Sequence, residues 1–238
     1  MAELHEWILQ QAEEGSPLIP AATVVVLRDH DGALETLMLR RSSALSFAEG
    51  MWVFPGGKID AADHRHGPDL TGLEAEAQAA RVAAVREAAE EAALTIELAG
   101  LVHYSHWIPP REAPKRFSTW FFLAPAPAGG EVAVDDGEIV HAEWARPGDV
   151  LERQRAGRAE MLPPTWMTLH DLAGYTTVEA AIAAAAARGP QRFCTRIVAT
   201  PHGAAAAWEG DAAYDPRLPP HARHRLVMSD HGWTLERT

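Results

Sequence analysis

The sequence predicts an α/β fold, and three observations carry that prediction. Residues 21–27 (AATVVVL) are a β-branched apolar run, the pattern of a buried strand. Residues 34–40 come back as a second strand after Asp29-His30-Asp31-Gly32, so the two form a hairpin. Residues 73–94 are helical in character, with Val82, Val85, Ala89 and Ala92 recurring at spacings of three and four as a buried stripe.

The remaining elements follow in chain order. Residues 2–14 have a helical pattern that ends at Gly15-Ser16-Pro17. Residues 51–54 are a short strand stopped by Pro55-Gly56-Gly57, and residues 60–72 are a polar loop containing Gly67-Pro68. Strands are expected at 98–108 and 117–124, flanking a loop at 109–114 and followed by a loop at 125–130. Another strand runs over 139–144 and ends at Pro147-Gly148, after which 149–155 begins a helix. Beyond it, 165–173 is helical behind Pro163-Pro164, and Thr176-Thr177-Val178-Glu179 fits a capping box opening an alanine-rich helix to Arg188. Short strands are expected at 193–200, 204–208 and 224–229, with Asp230-His231-Gly232 as a hairpin turn before Trp233. The expected organisation is an N-terminal helix and linker (1–20), a core (21–155) and a C-terminal extension (156–238) packed on the core as helices and a small β element.

The bulk numbers exclude several classes. With 238 residues and 47% apolar content the chain can bury a real core. A formal net charge of −12 repels a phosphate backbone, so a nucleic-acid polymer is not expected as a partner. A small phosphorylated substrate is compatible, because a bound cation reverses the local field. The single cysteine, Cys194, allows no disulfide framework or cysteine zinc site within the chain and is expected as a small core residue. The opening residues carry acids and no apolar h-region, and no apolar stretch is long enough to cross a bilayer. The expectation is a cytoplasmic protein with no membrane partner. A homodimer is left open.

Chemistry concentrates in residues 86–94 (REAAEEAAL). On a helix Glu87 and Glu91 lie about 40° apart, with Glu90 about 60° to the other side of Glu87, so the three share a face opposite Val82 and Val85. The cluster is poorly placed for helix stability: like charges at i,i+4 repel, and the acids sit where the macrodipole is already negative. A hard divalent cation such as Mg²⁺ or Mn²⁺ would reverse that sign. Alone, the three glutamates read as a solvated acidic face. The preceding turn changes the reading, because Gly56 and Gly57 permit close approach to the main chain and leave a carbonyl free for a cation.

Together the turn and the helix resemble the Nudix box, GX5EX7REUXEEXGU, where U is a bulky aliphatic residue. Gly57 plus five residues gives Asp63 in the place of the first Glu, and residues 86–94 match REUXEEXGU with Ala93 for the final Gly. About 15 residues are inserted between Asp63 and Arg86 relative to that pattern, as in a branch similar to the peroxisomal-type coenzyme A diphosphatases. Leu39-Arg40-Arg41-Ser42 leading to residues 53–57, Trp107-Ile108-Pro109-Pro110 before residues 116–122, and Leu162-Pro163-Pro164-Thr165 also look like that branch.

The resemblance implies the Nudix α/β/α sandwich with a mixed sheet, and Mg²⁺- or Mn²⁺-dependent hydrolysis of a small nucleoside-diphosphate-linked substrate, CoA or acyl-CoA favoured. ADP-ribose, dinucleotides and nucleotide sugars are the alternatives, as is a non-catalytic nucleotide-binding role. By resemblance Glu87, Glu90, Glu91 and the Gly56 carbonyl hold metal, Arg86 orients the carboxylates, and Asp63 is an outer ligand or a support. The general base is open between a box glutamate, Glu90, and a loop acid, with Glu138 the loop candidate and Glu112 behind it. Arg40, Arg41 and Arg116 are candidates for substrate phosphates. Phe47 and Trp107 are candidates for stacking on a base. His64 and His66 read as solvated loop residues.

Overall fold

The computed structural model describes residues 16–42, 48–65, 70–134, 137–201, 203–229 and 232–238. The helix expected over 2–14 lies outside them. Strands β1 (Leu18–His30) and β2 (Ala33–Arg41) form the expected hairpin, with His30 paired to Ala33. The two residues between them, Asp31 and Gly32, have φ of 48° and 72°. That is the backbone a two-residue primed turn requires, and Asp and Gly tolerate it.

The large sheet is mixed. β1 runs parallel to β6 (Arg116–Pro125), which pairs antiparallel with β5 (Val102–Ile108). On its other side β1 meets β2 and the short β4 (Gly56–Lys58); β2 also pairs with β3 (Trp52–Val53) and β7 (Ile139–Ala145). The period of two along β1 sorts its side chains onto two cores. Ala22, Val24 and Val26 face helix α1 (Gly72–Ala92), whereas Val25 and Leu27 face α2 (Pro147–Arg155), α3 (Pro163–Leu172) and α4 (Val178–Arg188). The sheet is therefore covered by helices on both faces, and α/β is the observed class.

Three details differ from the sequence reading, each for a local reason. The buried side of α1 is Leu73, Ala80, Ala83, Ala84, Ala88 and Ala92; Ala89 is exposed and Val82 and Val85 are only half-buried. The strand expected over 98–108 begins with a 3-10 turn, Leu98–Gly100. The strand expected over 193–200 is divided between two sheets. β8 (Gln191–Cys194) joins the large sheet parallel to β5, while β9 (Arg196–Thr200) begins a four-stranded antiparallel sheet with β10 (Gly203–Ala207), β11 (His224–Ser229) and β12 (Gly232–Arg237). Thr195 marks the division: its N–H donates to the Ile108 carbonyl (2.9 Å) and its hydroxyl accepts from Trp208 Nε1 (3.1 Å).

The helix-opening cap before α4 is Thr177, whose hydroxyl accepts from the Ala180 N–H (3.2 Å), one residue later than a Thr176–Glu179 box requires. The small sheet contributes Ala206, Trp208 and Leu226 to the same core as α3 and α4. No helix among the described residues is long and apolar enough to cross a membrane. Residues 230–231 of the expected hairpin turn lie outside the described residues, but β11 and β12 pair as that turn requires, with Ser229 opposite Gly232.

Candidate active site

The site forms where α1 crosses β4. Gly56 and Gly57 pair with Thr23 and Ala22 of β1, and the Val24 N–H takes the Pro55 carbonyl (2.9 Å). In an antiparallel ladder hydrogen-bonded and non-hydrogen-bonded pairs alternate, so Gly56 turns its polar groups away from β1. Its N–H donates to Glu91 Oε2 at 2.9 Å, and its carbonyl shares that side. The close approach depends on glycine. A Cβ on Gly57 would lie 2.3 Å from Glu87 Oε1, and one on Gly56 would lie 2.5 Å from the Ala22 carbonyl oxygen.

Arg86 organises the acids by using all five of its N–H donors. Nε and Nη2 grip Asp63 in a two-point fork (3.1 and 2.9 Å), Nη1 reaches Glu87 (2.8 Å) and Glu90 (2.9 Å), and Nη2 also reaches the Lys58 carbonyl (2.9 Å). Asp63 is buried on a 3-10 turn and also accepts from the Asp60 N–H (2.8 Å). Burial raises its carboxyl, but the Arg86 fork and the Asp60 N–H outweigh that and hold it below the usual range. Of the two roles expected for Asp63 the geometry matches support. Both of its oxygens accept from Arg86, the arrangement of a support.

Glu91 is the most enclosed acid of the face, at 6% exposure, and Glu90 the most open. Burial pushes the Glu91 carboxyl up to about 8; the Gly56 N–H opposes this and Glu87 adds repulsion. Burial likewise raises Glu87, with Arg86 opposing it and Glu90 and Glu138 repelling it. The second cation is Arg41, with Nη1 3.7 Å from Glu91 and Nη2 3.2 Å from Glu138. Among the described residues no three His, Cys, Asp or Glu side chains form a ready-made metal cluster.

A family model for the NUDIX domain matches residues 17–164. The chain belongs to the Nudix family. The sequence is 24% identical over 163 residues to nudix hydrolase 7 of Caenorhabditis elegans, covering 54% of this chain. It spans about half (52%) of that relative's length. Among solved structures, a NUDIX hydrolase from Alicyclobacillus acidocaldarius superposes with a TM-score of 0.62 at 24% identity, over 71% of this chain and 96% of that one. The NUDIX domain of Shewanella oneidensis NrtR, solved with ADP ribose, matches at 17% identity and a TM-score of 0.47, over 69% of this chain and 93% of that one. The superposition on the Alicyclobacillus acidocaldarius enzyme and the family match show the Nudix fold, and β8 and the small sheet lie beyond residues 17–164.

The other residues singled out from sequence divide sharply. Arg41 and Glu138 come to the acidic face, joined to each other. Arg40 does not; it is exposed, and its Nε donates to the Gly50 carbonyl (3.3 Å). Arg116 is a correction. It is 1% exposed, donates to the Ser16 carbonyl (2.8 Å) and lies beside Cys194, so it is closed to a substrate phosphate. Trp107 is a core residue stacked on Phe193, with centroids 3.9 Å apart, and is closed to a base. Cys194 is buried, and Glu112 and His64 are exposed. Phe47 and His66 lie outside the described residues. The sequence reading missed Lys58, which acts through its main-chain carbonyl, an atom that residue type does not signal.

Proposed function

We propose that this Nudix chain hydrolyses the diphosphate linkage of a small nucleoside-diphosphate-linked substrate with Mg²⁺ or Mn²⁺, CoA or acyl-CoA being the favoured substrate. The carrying observation is the convergence of three acids of one helix, Glu87, Glu90 and Glu91, on the Gly56–Gly57 turn. Burial raises two of them, Glu87 and Glu91, against the opposing pull of Arg86 on the first and of the Gly56 N–H and Arg41 on the second. An oxygen-only donor set of this kind suits a hard cation. The space beside Glu87 exists only because Gly57 has no side chain. Glu87, Glu90, Glu91 and the Gly56 carbonyl would hold the cation.

When bound, the cation supplies charge neutralisation for the diphosphate and acidifies water. The chain's own residues do the rest. Arg86 fixes Glu87 and Glu90, and the Gly56 N–H fixes Glu91. Arg41 carries Glu138 to the edge of the face, where either Glu138 or the open Glu90 can accept a proton from attacking water. The preference for CoA rests on the likeness of residues 39–57, 107–122 and 162–165 to the CoA-type branch. A screen of CoA, acyl-CoA, ADP-ribose, dinucleotides and nucleotide sugars with Mg²⁺ tests the reading. CoA turnover that Glu90→Gln abolishes supports it. Turnover of ADP-ribose alone moves the substrate within the family, and no turnover despite ligand-induced thermal stabilisation sinks the catalytic reading.

A further inference from the structure

A second polar site lies at the β8 edge of the large sheet. Counting from β1, the large sheet continues through β6 and β5 to β8, so β8 is about 14 Å from β1 at ordinary strand spacing. Where β8 meets β11 and β12 there is a cavity of about 430 Å³, whose lining includes Arg192, Phe193, Glu209, Arg223, His224 and Arg237. That volume is in the range of small-molecule sites. Its charge runs against the rest of the chain. The protein carries a net −12, yet this lining holds three arginines and one glutamate.

The arginines are set for a ligand. Among the described residues no carboxylate is within ion-pair distance of Arg192 or Arg237. Arg223 is anchored through Nη1 to the Pro220 and Ala222 carbonyls (2.8 and 3.0 Å), and its Nε is 3.8 Å from Glu236. His224 Nδ1 donates to the Glu209 carbonyl at 2.7 Å, which fixes the ring. Phe193, stacked on Trp107, gives the cavity a rigid wall. The positive charge of Arg192 also reaches across β5, where it helps keep His103 and His106 neutral.

We propose that this seam between the two sheets is a second binding site, for a small phosphorylated anion, separate from the acidic face of α1. Guanidinium forks match phosphate oxygens in pairs, and two lining arginines without a carboxylate partner among the described residues, Arg192 and Arg237, favour a multiply charged ligand over a carboxylate. Free phosphate or pyrophosphate and the phosphate of a nucleotide share this chemistry. A ligand here would tie β8 to β11 and β12.

The test is calorimetric titration of the full chain with inorganic phosphate, pyrophosphate and adenosine 5′-monophosphate, in EDTA so that no cation loads the acidic face. Saturable one-to-one binding of any of the three is expected. Arg192→Ala/Arg237→Ala should weaken it by at least about tenfold while its ligand-free Tm stays within about 2 °C of wild type. Tightest binding of the monophosphate nucleoside assigns a nucleotide, and tightest binding of phosphate or pyrophosphate assigns the free anion; both support the site. No saturable binding below about 10 mM, or equal affinity in the double variant, overturns it. Gly57→Ala, which disturbs only the acidic face, should bind the anion like wild type, so failure of the metal-site reading is distinguishable from failure of this one.

Discussion

Gly56 and Gly57 are adjacent and chemically identical, yet replacing each with alanine should fail in a different way. At Gly57 the new methyl would meet the Glu87 carboxylate, with Oε1 2.3 Å away and Cδ 2.6 Å away. Ordinary contact begins near 3.4 Å, so the carboxylate must retreat by about 1 Å. It is the far end of a flexible side chain and can do so without moving the backbone. Ligand distances tolerate only about 0.2 Å, and a misplacement of about 1 Å costs on the order of 100-fold in rate. At Gly56 the obstacles are the Ala22 carbonyl oxygen at 2.5 Å and the Thr23 Cα at 2.9 Å, both main chain of the central strand. That overlap cannot be relieved by a rotamer change and should cost about 1–3 kcal/mol.

The assay pairs thermal unfolding with Mn²⁺ titration and substrate turnover. Gly57→Ala is expected to keep its Tm within about 2 °C while losing Mn²⁺ affinity and about 100-fold in turnover. Gly56→Ala is expected to lose roughly 2–12 °C in Tm, about 2–4 °C for each kcal/mol. Equal Tm losses in the two variants, or full Mn²⁺ binding by Gly57→Ala, would refute the assignment of Gly57 as the space Glu87 requires.

Other outcomes follow from the same geometry. Arg86→Lys cannot reproduce the two-point grip on buried Asp63, and should cost about 2–3 kcal/mol in a denaturant titration as well as metal affinity; an unchanged midpoint would count against the five-donor account. His103 and His106 are held down to about 4 and about 3, mainly by burial, with Arg192 adding to both and Arg81 to His103. Their folded values are depressed, so the unfolded chain binds more protons below about pH 6.5 and stability falls as the pH drops from there, by roughly 2 kcal/mol per histidine at pH 5. Glu91, raised by burial, runs the opposite way. The readout is therefore the difference between wild type and His103→Gln/His106→Gln at pH 7 and pH 5, and a difference independent of pH would sink the idea. Ala93, which caps α1 at φ 56° and ψ 26°, occupies a left-handed position that costs a non-glycine residue about 1 kcal/mol. Ala93→Gly should raise the Tm by about 2 °C, and a lower Tm would show the cap is not strained.

The hairpin of β1 and β2 was legible because β-branched apolar runs flank a turn whose residues accept positive φ. The glutamates and Arg86 stood out only beside the Phe54–Gly57 turn, since alone they read as a solvated face, and the structure brings helix and turn together. The arginines were not. Arg41 and Arg116 look alike in sequence, but one meets Glu91 and Glu138 while the other is enclosed at the start of β6. Nothing local to either residue reports which neighbours the sheet brings to it. Thr195 likewise gives no sign that a continuous strand pattern changes sheets there.

The side of α1 that faces the sheet was misread for a reason that bears on the site itself. Alanine is neutral in a periodicity argument: Ala88 is fully buried and Ala89 is exposed, so the two valines seemed to mark the core. The buried side is instead nearly all alanine, and β4 opposite it begins with two glycines. Small residues on both surfaces let α1 lie close enough for Glu91 to reach the Gly56 N–H and for Glu87 to fill the space over Gly57. Glu91 is thus on the side of the helix that touches the sheet, not opposite it, and its burial is what raises its carboxyl. A larger side chain at Ala84 or Ala88 would improve the hydrophobic pattern while pushing the helix away from the turn. The run of alanines that weakens the sequence signal for a core is therefore the condition for placing the acids against the glycines.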